Sequence, residues 1–204
     1  MATCGEELAA LLEFGREQLG VEFKGAGSRT DKAFLSKVVR AVLGMANRQD
    51  GGRVIVGVEE NLTTREIIPT GLSAAELKTW TQDDLGNSLA TYADPYVTFD
   101  LEQVVHERKN FIVINVSEFE EVPILCKRSY QDTLKDGACY VRSRRKPETV
   151  EVSSHTDMRE LLELAINKGV RRFLARAQQV GVFPLQPAQP TDMERYDEQL
   201  GELK

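Results

Sequence analysis

The run Gly51-Gly52-Arg53-Val54-Ile55-Val56-Gly57-Val58 constrains this chain more than any other stretch. Gln49-Asp50-Gly51-Gly52 is a turn signal. The strand that follows is apolar at successive positions, so both of its faces need cover. Such a strand belongs inside a sheet with packed layers on either side. One cover is supplied just upstream, where Phe34, Leu35, Val38, Val39, Val42 and Leu43 recur at the helical period as far as about Ala46. Thr30 or Ser28 is the expected cap of that helix, with Asp31 favourable in its first turn. A glycine inside a strand, here Gly57, predicts close approach by another part of the chain.

Carboxylates flank this unit. Val21-Glu22-Phe23-Lys24 alternates as a short strand, with Val21 and Phe23 on one face and Glu22 beside Lys24 on the other. Glu17 precedes it, and Glu59 and Glu60 end the apolar strand. Carboxylates brought together repel one another, so a cluster of them needs a cation or a raised pKa. Hard oxygen donors suit Mg²⁺ or Mn²⁺, which makes Glu17, Glu22, Glu59 and Glu60 candidate metal ligands. The plain alternative is four solvated glutamates, with Glu22 and Lys24 as a surface ion pair of little energetic weight.

The rest of the chain reads as further mixed structure. Leucine spacing predicts a helix over residues 6–19 and another over 74–92, stopped by Asp94-Pro95. Val97 to His106 and Phe111 to Val116 read as a hairpin around a turn at Glu107–Asn110. Val122–Cys126 and Ala138–Arg142 are expected to complete the sheet. A long helix opens at 153–156, with Asp157 and Glu160 spaced as a capping box. Pro184-Leu-Gln-Pro-Ala-Gln-Pro190 then reads as a linker into an acidic tail.

A net charge of −6 argues against indiscriminate coating of DNA but leaves room for a local basic groove. Lys127-Arg128 and Arg142-Ser-Arg144-Arg145-Lys146 are the densest cations, and Tyr130 and Tyr140 lie near them. These six cations are candidate phosphate contacts, and the tyrosines either stack on unpaired bases or, for Tyr140, pack in the core. Three cysteines without a CxxC spacing point away from a disulfide framework or zinc knuckle and toward a reducing, cytoplasmic setting. The opening residues lack the pattern of a secretory leader, and no apolar run reaches the length of about 18 residues that a membrane helix needs. His106 and His155 have no partner pattern, and no glycine-rich loop ends in Gly-Lys-Ser/Thr.

Three blocks in order carry a family resemblance. They are Glu17-x4-Glu22-Phe23-Lys24, then Ala46-Asn47 with Asp50-Gly51-Gly52 through Gly57-Val58-Glu59-Glu60, then Gly137-Ala-Cys-Tyr140-Val141-Arg142-Ser143. Together they resemble the Schlafen-type AlbA_2 nucleic-acid-binding domain over roughly residues 13–152. In Schlafen proteins that cleave RNA, the acidic pair before Phe-Lys and an acid after the Gly-Val strand form the active site. Carried over, Glu17, Glu22 and Glu59 (or Glu60) would hold Mg²⁺ or Mn²⁺, and Lys24 would offset phosphate charge. Glu59 stands where the family usually has Asp.

The expected fold is α+β, a mixed β-sheet with flanking helices over 1–152, then a helical extension at 153–183 and a flexible tail at 184–204. The function the resemblance implies is binding of RNA or single-stranded DNA, with metal-dependent endoribonuclease action on tRNA or single-stranded RNA as the sharper expectation. A non-catalytic DNA-binding or regulatory module is the alternative. So is a protein-interaction adaptor that uses the C-terminal helix and tail. Schlafen cores contain two such lobes and this chain has one, so a homodimer is expected.

Overall fold

The computed structural model describes residues 4–15, 17–61, 66–143 and 147–181. Helix α1 covers Cys4–Phe14 and stops short of the expected span, because Gly15 turns the chain at φ 76°, a region glycine enters without steric cost. Strand β1 is Val21–Lys24, as its alternation predicts. Helix α2 is Lys32–Ala46, capped by Asp31 and not by Thr30 or Ser28. The Asp31 carboxylate accepts from the Ala33 and Phe34 amides at 2.9 and 3.2 Å, which satisfies donors that the first helical turn leaves open.

The apolar run becomes two strands, β2 at Gly52–Val56 and β3 at Val58–Glu60. Gly57 divides them at φ 108°, and a Cβ there would stand 2.9 Å from Leu72 Cδ1 and 3.3 Å from Gly71 Cα. The close approach expected at this glycine is present, and it bends the chain away from the sheet. Strand β4, Ile67–Pro69, pairs antiparallel with β3.

The helix expected over 74–92 is two helices, α3 at Ala74–Leu77 and α4 at Gln82–Tyr92. Each has its own cap, Ser73 in a capping box with Glu76, and Thr81. Between them Trp80 is fully buried and donates its indole N–H to Gly27 O at 3.0 Å. Strand β5 is Ala93–Asp94. Strands β6, Phe99–His106, and β7, Lys109–Val116, form the hairpin. Its turn is only Glu107-Arg108, both at positive φ (48° and 63°), the twist that suits a two-residue connection.

Three short strands and a long helix follow: β8 at Leu125–Cys126, β9 at Tyr140–Arg142, β10 at Thr149–Glu151 and α5 at His155–Gln179. The main sheet has the order β1-β2-β7-β6, with β1 parallel to β2 and the other pairs antiparallel. It is a mixed sheet, as expected, but β8 and β9 do not complete it. β8 pairs with β5 and β9 with β10. Pro123 has no N–H to give a ladder. Its neighbours are tied to the end of α2 instead, Phe119 N to Ala46 O at 2.8 Å and Ile124 N to Asn47 Oδ1 at 2.7 Å. The buried Asn47 amide also donates to Ile124 O and Tyr140 O at 2.8 and 2.9 Å.

β2 is interior and dry on both faces. Val54 and Val56 pack in the cluster that holds α2, while Ile55 joins Leu8, Phe23, Phe111 and Val58 on the α1 side. The cap of α5 lies one turn earlier than the spacing suggested. Ser154 Oγ accepts from Asp157 N at 3.0 Å and donates to its carboxylate at 2.6 Å.

The chain divides into two compact units, Met1–Ile166 and Asn167–Lys204. The first holds the sheet and the opening turns of α5, where Leu161 is buried in the core. The second is helical as far as Gln179. The proline-rich linker and acidic tail lie outside the described residues. Among the described residues no helix is long and apolar enough to cross a membrane.

Candidate nucleic-acid interface and its acidic clasp

The alternation of β1 drives Val21 and Phe23 into the α1-side core and turns Glu22 toward β9 and β10. Glu22 is therefore 6% exposed, not the solvated surface acid of the plain reading. A buried carboxylate must be paired and hydrogen-bonded, and this one is. Oε2 accepts from Arg142 Nη1 at 2.6 Å and from Thr149 Oγ1 at 2.6 Å. Oε1 accepts from the Lys24 ammonium. Space for the Thr149 side chain exists because Gly44 faces it from α2; a Cβ at Gly44 would lie 2.5 Å from Thr149 Cγ2.

Arg142 closes the arrangement. Its side chain is 1% exposed. Beyond Glu22 it donates from Nη2 to Gln18 O and Val21 O, both at 3.1 Å, and from Nε to Leu19 O at 3.3 Å. One planar fork thus holds the turn that leads into β1. Arg142 belongs to this clasp and not to the exposed basic rim in which the charge run placed it.

Glu17 completes the clasp from the same turn. β1 is an edge strand, and edge strands carry unpaired N–H groups. Glu17 Oε1 accepts the Phe23 N–H at 2.8 Å, and its Oε2 lies 3.8 Å from Arg142 Nη2. Burial raises the Glu17 carboxyl to about 7, against the opposing pull of the Phe23 amide; nearby Glu22 raises it further, and Arg142 and Lys24 lower it. With Glu17 protonated, the charges of Glu22, Arg142 and Lys24 sum to +1; with Glu17 ionised they sum to zero.

The remaining acids sit apart. Glu59 is exposed on β3, and its side chain lies across Gly25, 3.2 Å from where a Cβ there would be. This brings it beside the residue that follows Lys24. Glu60 is half-buried on the same strand. Among the described residues no three of His, Cys, Asp or Glu are gathered so as to hold one metal ion. Both oxygens of Glu22 already serve the chain's own cations, so the donor set as folded does not suit a divalent ion.

Of the basic candidates, Lys127 and Arg128 are exposed at the start of the loop after β8. Arg144, Arg145 and Lys146 lie outside the described residues. Tyr140 is buried, its hydroxyl accepting from Lys135 N at 2.9 Å, and Tyr130 packs half-buried against the core. Base stacking on Tyr140 is therefore excluded by its packing. Burial pushes the Cys139 thiol up to about 11 and raises that of Cys126, which fits small packed residues and not nucleophiles.

The profile of the family described as Schlafen, AlbA_2 matches residues 17–151, from Glu17 of the clasp to the last residue of β10. The chain belongs to that family. Membership in the Schlafen AlbA_2 family supports nucleic-acid binding. Comparison with curated proteins gives no match. Among solved structures, the chain is similar to the DIP2311 protein from Corynebacterium diphtheriae at 22% identity and a TM-score of 0.46, covering 71% of this chain and 25% of that one. It is also similar to the N-terminal domain of a RecG-related protein from Nitrosomonas europaea, at 21% identity and a TM-score of 0.48, covering 76% of this chain and 99% of that one. The chain thus spans a quarter of the Corynebacterium protein.

Proposed function

We propose that this Schlafen AlbA_2 domain binds single-stranded nucleic acid, RNA or DNA. What carries the reading is the family match from Glu17 to Glu151. The clasp agrees with it, because it leaves Lys24 partly exposed beside a carboxyl that is half protonated near neutrality. Lys127 and Arg128 add exposed charge for the backbone. Such binding weakens with salt as condensed counterions are released.

The test is fluorescence anisotropy of labelled single-stranded RNA, single-stranded DNA and duplex DNA over a salt series. Binding is expected to favour the single strands. The Lys127→Ala/Arg128→Ala variant is expected to flatten the log–log salt dependence by about 1.4, roughly 0.7 for each single-strand phosphate that is no longer neutralised. An unchanged slope would remove these two residues from the interface, and no binding at low salt would end the reading.

Cleavage of RNA is the second reading, and the observation that favours it is Glu17. A carboxyl near 7 exchanges a proton at neutral pH, the property a general acid or base needs. Labelled tRNA and single-stranded RNA incubated with Mg²⁺, Mn²⁺ or EDTA would show it. Cutting by the wild type that Glu17→Gln abolishes supports cleavage, and loss of cutting in EDTA would show only that the reaction needs a divalent ion. Tight binding without cutting in every condition leaves a binding module.

A further inference from the structure

A polar cleft with a volume of 240 Å³ opens two residues along β9 and β10 from the acidic clasp. Its walls are the loop from Gln131 to Lys135 together with Arg40 of α2, Tyr140 of β9 and Glu151 of β10. Arg40 sits with its guanidinium carbon 5.2 Å from the centre of the Tyr140 ring. Among the described residues its Nε is buried and has no hydrogen-bond partner. Leaving a charged donor unmet in this way is costly, and native structures rarely do so without a reason. The cleft is otherwise well built. Tyr140 Oη accepts from Lys135 N at 2.9 Å, and Lys135 Nζ reaches Glu151 at 3.0 Å, so the loop is fastened to the two strands.

The charge balance of the walls says what kind of group fits. Arg40 and Lys135 supply two cations, and Asp132 and Glu151 supply two carboxylates. The two carboxylates offset the two cations, so the walls carry no net positive charge to hold a phosphate. A neutral planar group with acceptors on one edge and donors on another satisfies both sets. Guanine has that pattern, with N7 and O6 adjacent for the arginine fork and N1–H and N2–H for a carboxylate. Unpaired strands offer such edges, because their bases can be splayed out and laid against aromatic or guanidinium planes.

We propose that this cleft is a nucleobase pocket that takes guanine from an unpaired strand, with Arg40 on the N7/O6 edge and Asp132 on the donor edge. The inference rests on the single-strand-binding reading above and adds base selection to it.

Two measurements separate the inference from that reading. In the first, the labelled full chain is titrated with guanosine monophosphate, adenosine monophosphate or inorganic phosphate, and the Arg40 Nε–H and Lys135 amide NMR signals are followed. The guanine nucleotide is expected to move both signals saturably, the adenine nucleotide to bind about tenfold more weakly, and phosphate to move neither. An equal response to phosphate would make the cleft an anion site, and no response to either nucleotide would leave it a hydrated gap; both results overturn the proposal. In the second, short RNAs that differ only in a central guanine or adenine are compared. Arg40→Lys keeps the charge and loses the planar fork, so it is expected to erase the guanine preference while the salt dependence stays unchanged. Asp132→Asn, on the exposed loop, repeats the test without touching the core. RNA binding with no guanine preference in the wild type would overturn the pocket and leave strand binding intact. A guanosine monophosphate response without any RNA binding would do the reverse.

Discussion

Arg142→Met is expected to destabilise the domain by about 3–5 kcal/mol, the cost of removing one partner from a buried ion pair. The variant leaves Glu22 buried with only Lys24 and Thr149, and strips a donor from Gln18 O, Leu19 O and Val21 O. For a chain of this size the loss corresponds to a fall in Tm of roughly 6–20 °C. Urea denaturation of the single variants and the double variant checks the cause. Glu22→Gln removes the charge that Arg142 neutralises, so adding it to Arg142→Met should cost much less than the sum, with a coupling of about 1–3 kcal/mol. Arg142→Lys should fall between, because an ammonium cannot serve carboxylate and three carbonyls at once. The opposite role makes the opposite prediction. If Arg142 were a phosphate contact on an open rim, Arg142→Met would leave Tm unchanged and weaken nucleic-acid binding alone.

The same residue shows what the sequence carries and where it runs out. Local periods are reliable guides. The alternation of Val21–Lys24 places Glu22 and Lys24 together, and the continuous run at Val54–Val56 places β2 inside the sheet. The stripe from Leu35 to Met45 gives α2 its buried side. What fails is information held at long range. Glu22 is buried because of Arg142 and Thr149, which are 120 and 127 residues away. No spacing rule joins those positions. The charge run groups Arg142 with Arg144–Lys146, although the period of β9 sets it on the same side as the buried Tyr140. Nor does any spacing rule join Arg40 of α2 to Tyr140, over whose ring its guanidinium lies. Other departures are local, and the residues that cause them are visible in the sequence. Thr81 is a second capping residue inside the expected 74–92 helix, and Pro123 argues against a ladder strand.

Glu17→Gln is expected to stabilise the domain above pH 7 and to leave it unchanged near pH 4.5. The Glu17 carboxyl titrates at about 7 in the folded chain and near 4.5 in the unfolded one. Between these values the folded state keeps a proton that the unfolded state has lost, so wild-type stability falls as pH rises across the window and levels off above it. The full penalty is roughly 3 kcal/mol, because the carboxyl ionises at about 7 and not at 4.5, and each tenfold change in proton affinity is worth about 1.36 kcal/mol. Glutamine is spared it. Its amide oxygen still accepts the Phe23 N–H that Glu17 Oε1 accepts at 2.8 Å, and it has no charge to desolvate. The difference in unfolding free energy between variant and wild type should therefore grow from near zero at pH 4.5 to about 3 kcal/mol at pH 8. Every other carboxylate is common to both proteins, so the pH dependence of the difference isolates Glu17. A difference that stays flat would mean that Glu17 ionises normally. The same proton sets the charge of the clasp. Nucleic-acid affinity of the wild type should decline as pH rises through 7 and the clasp passes from +1 to neutral, whereas Glu17→Gln should hold its affinity across that range. A domain that tolerates this cost at neutral pH keeps a carboxyl where its ionisation is opposed, and such groups collect at functional sites. The stability difference and the affinity profile thus read one ionisation from two sides, and disagreement between their midpoints would separate the buried acid from the binding surface.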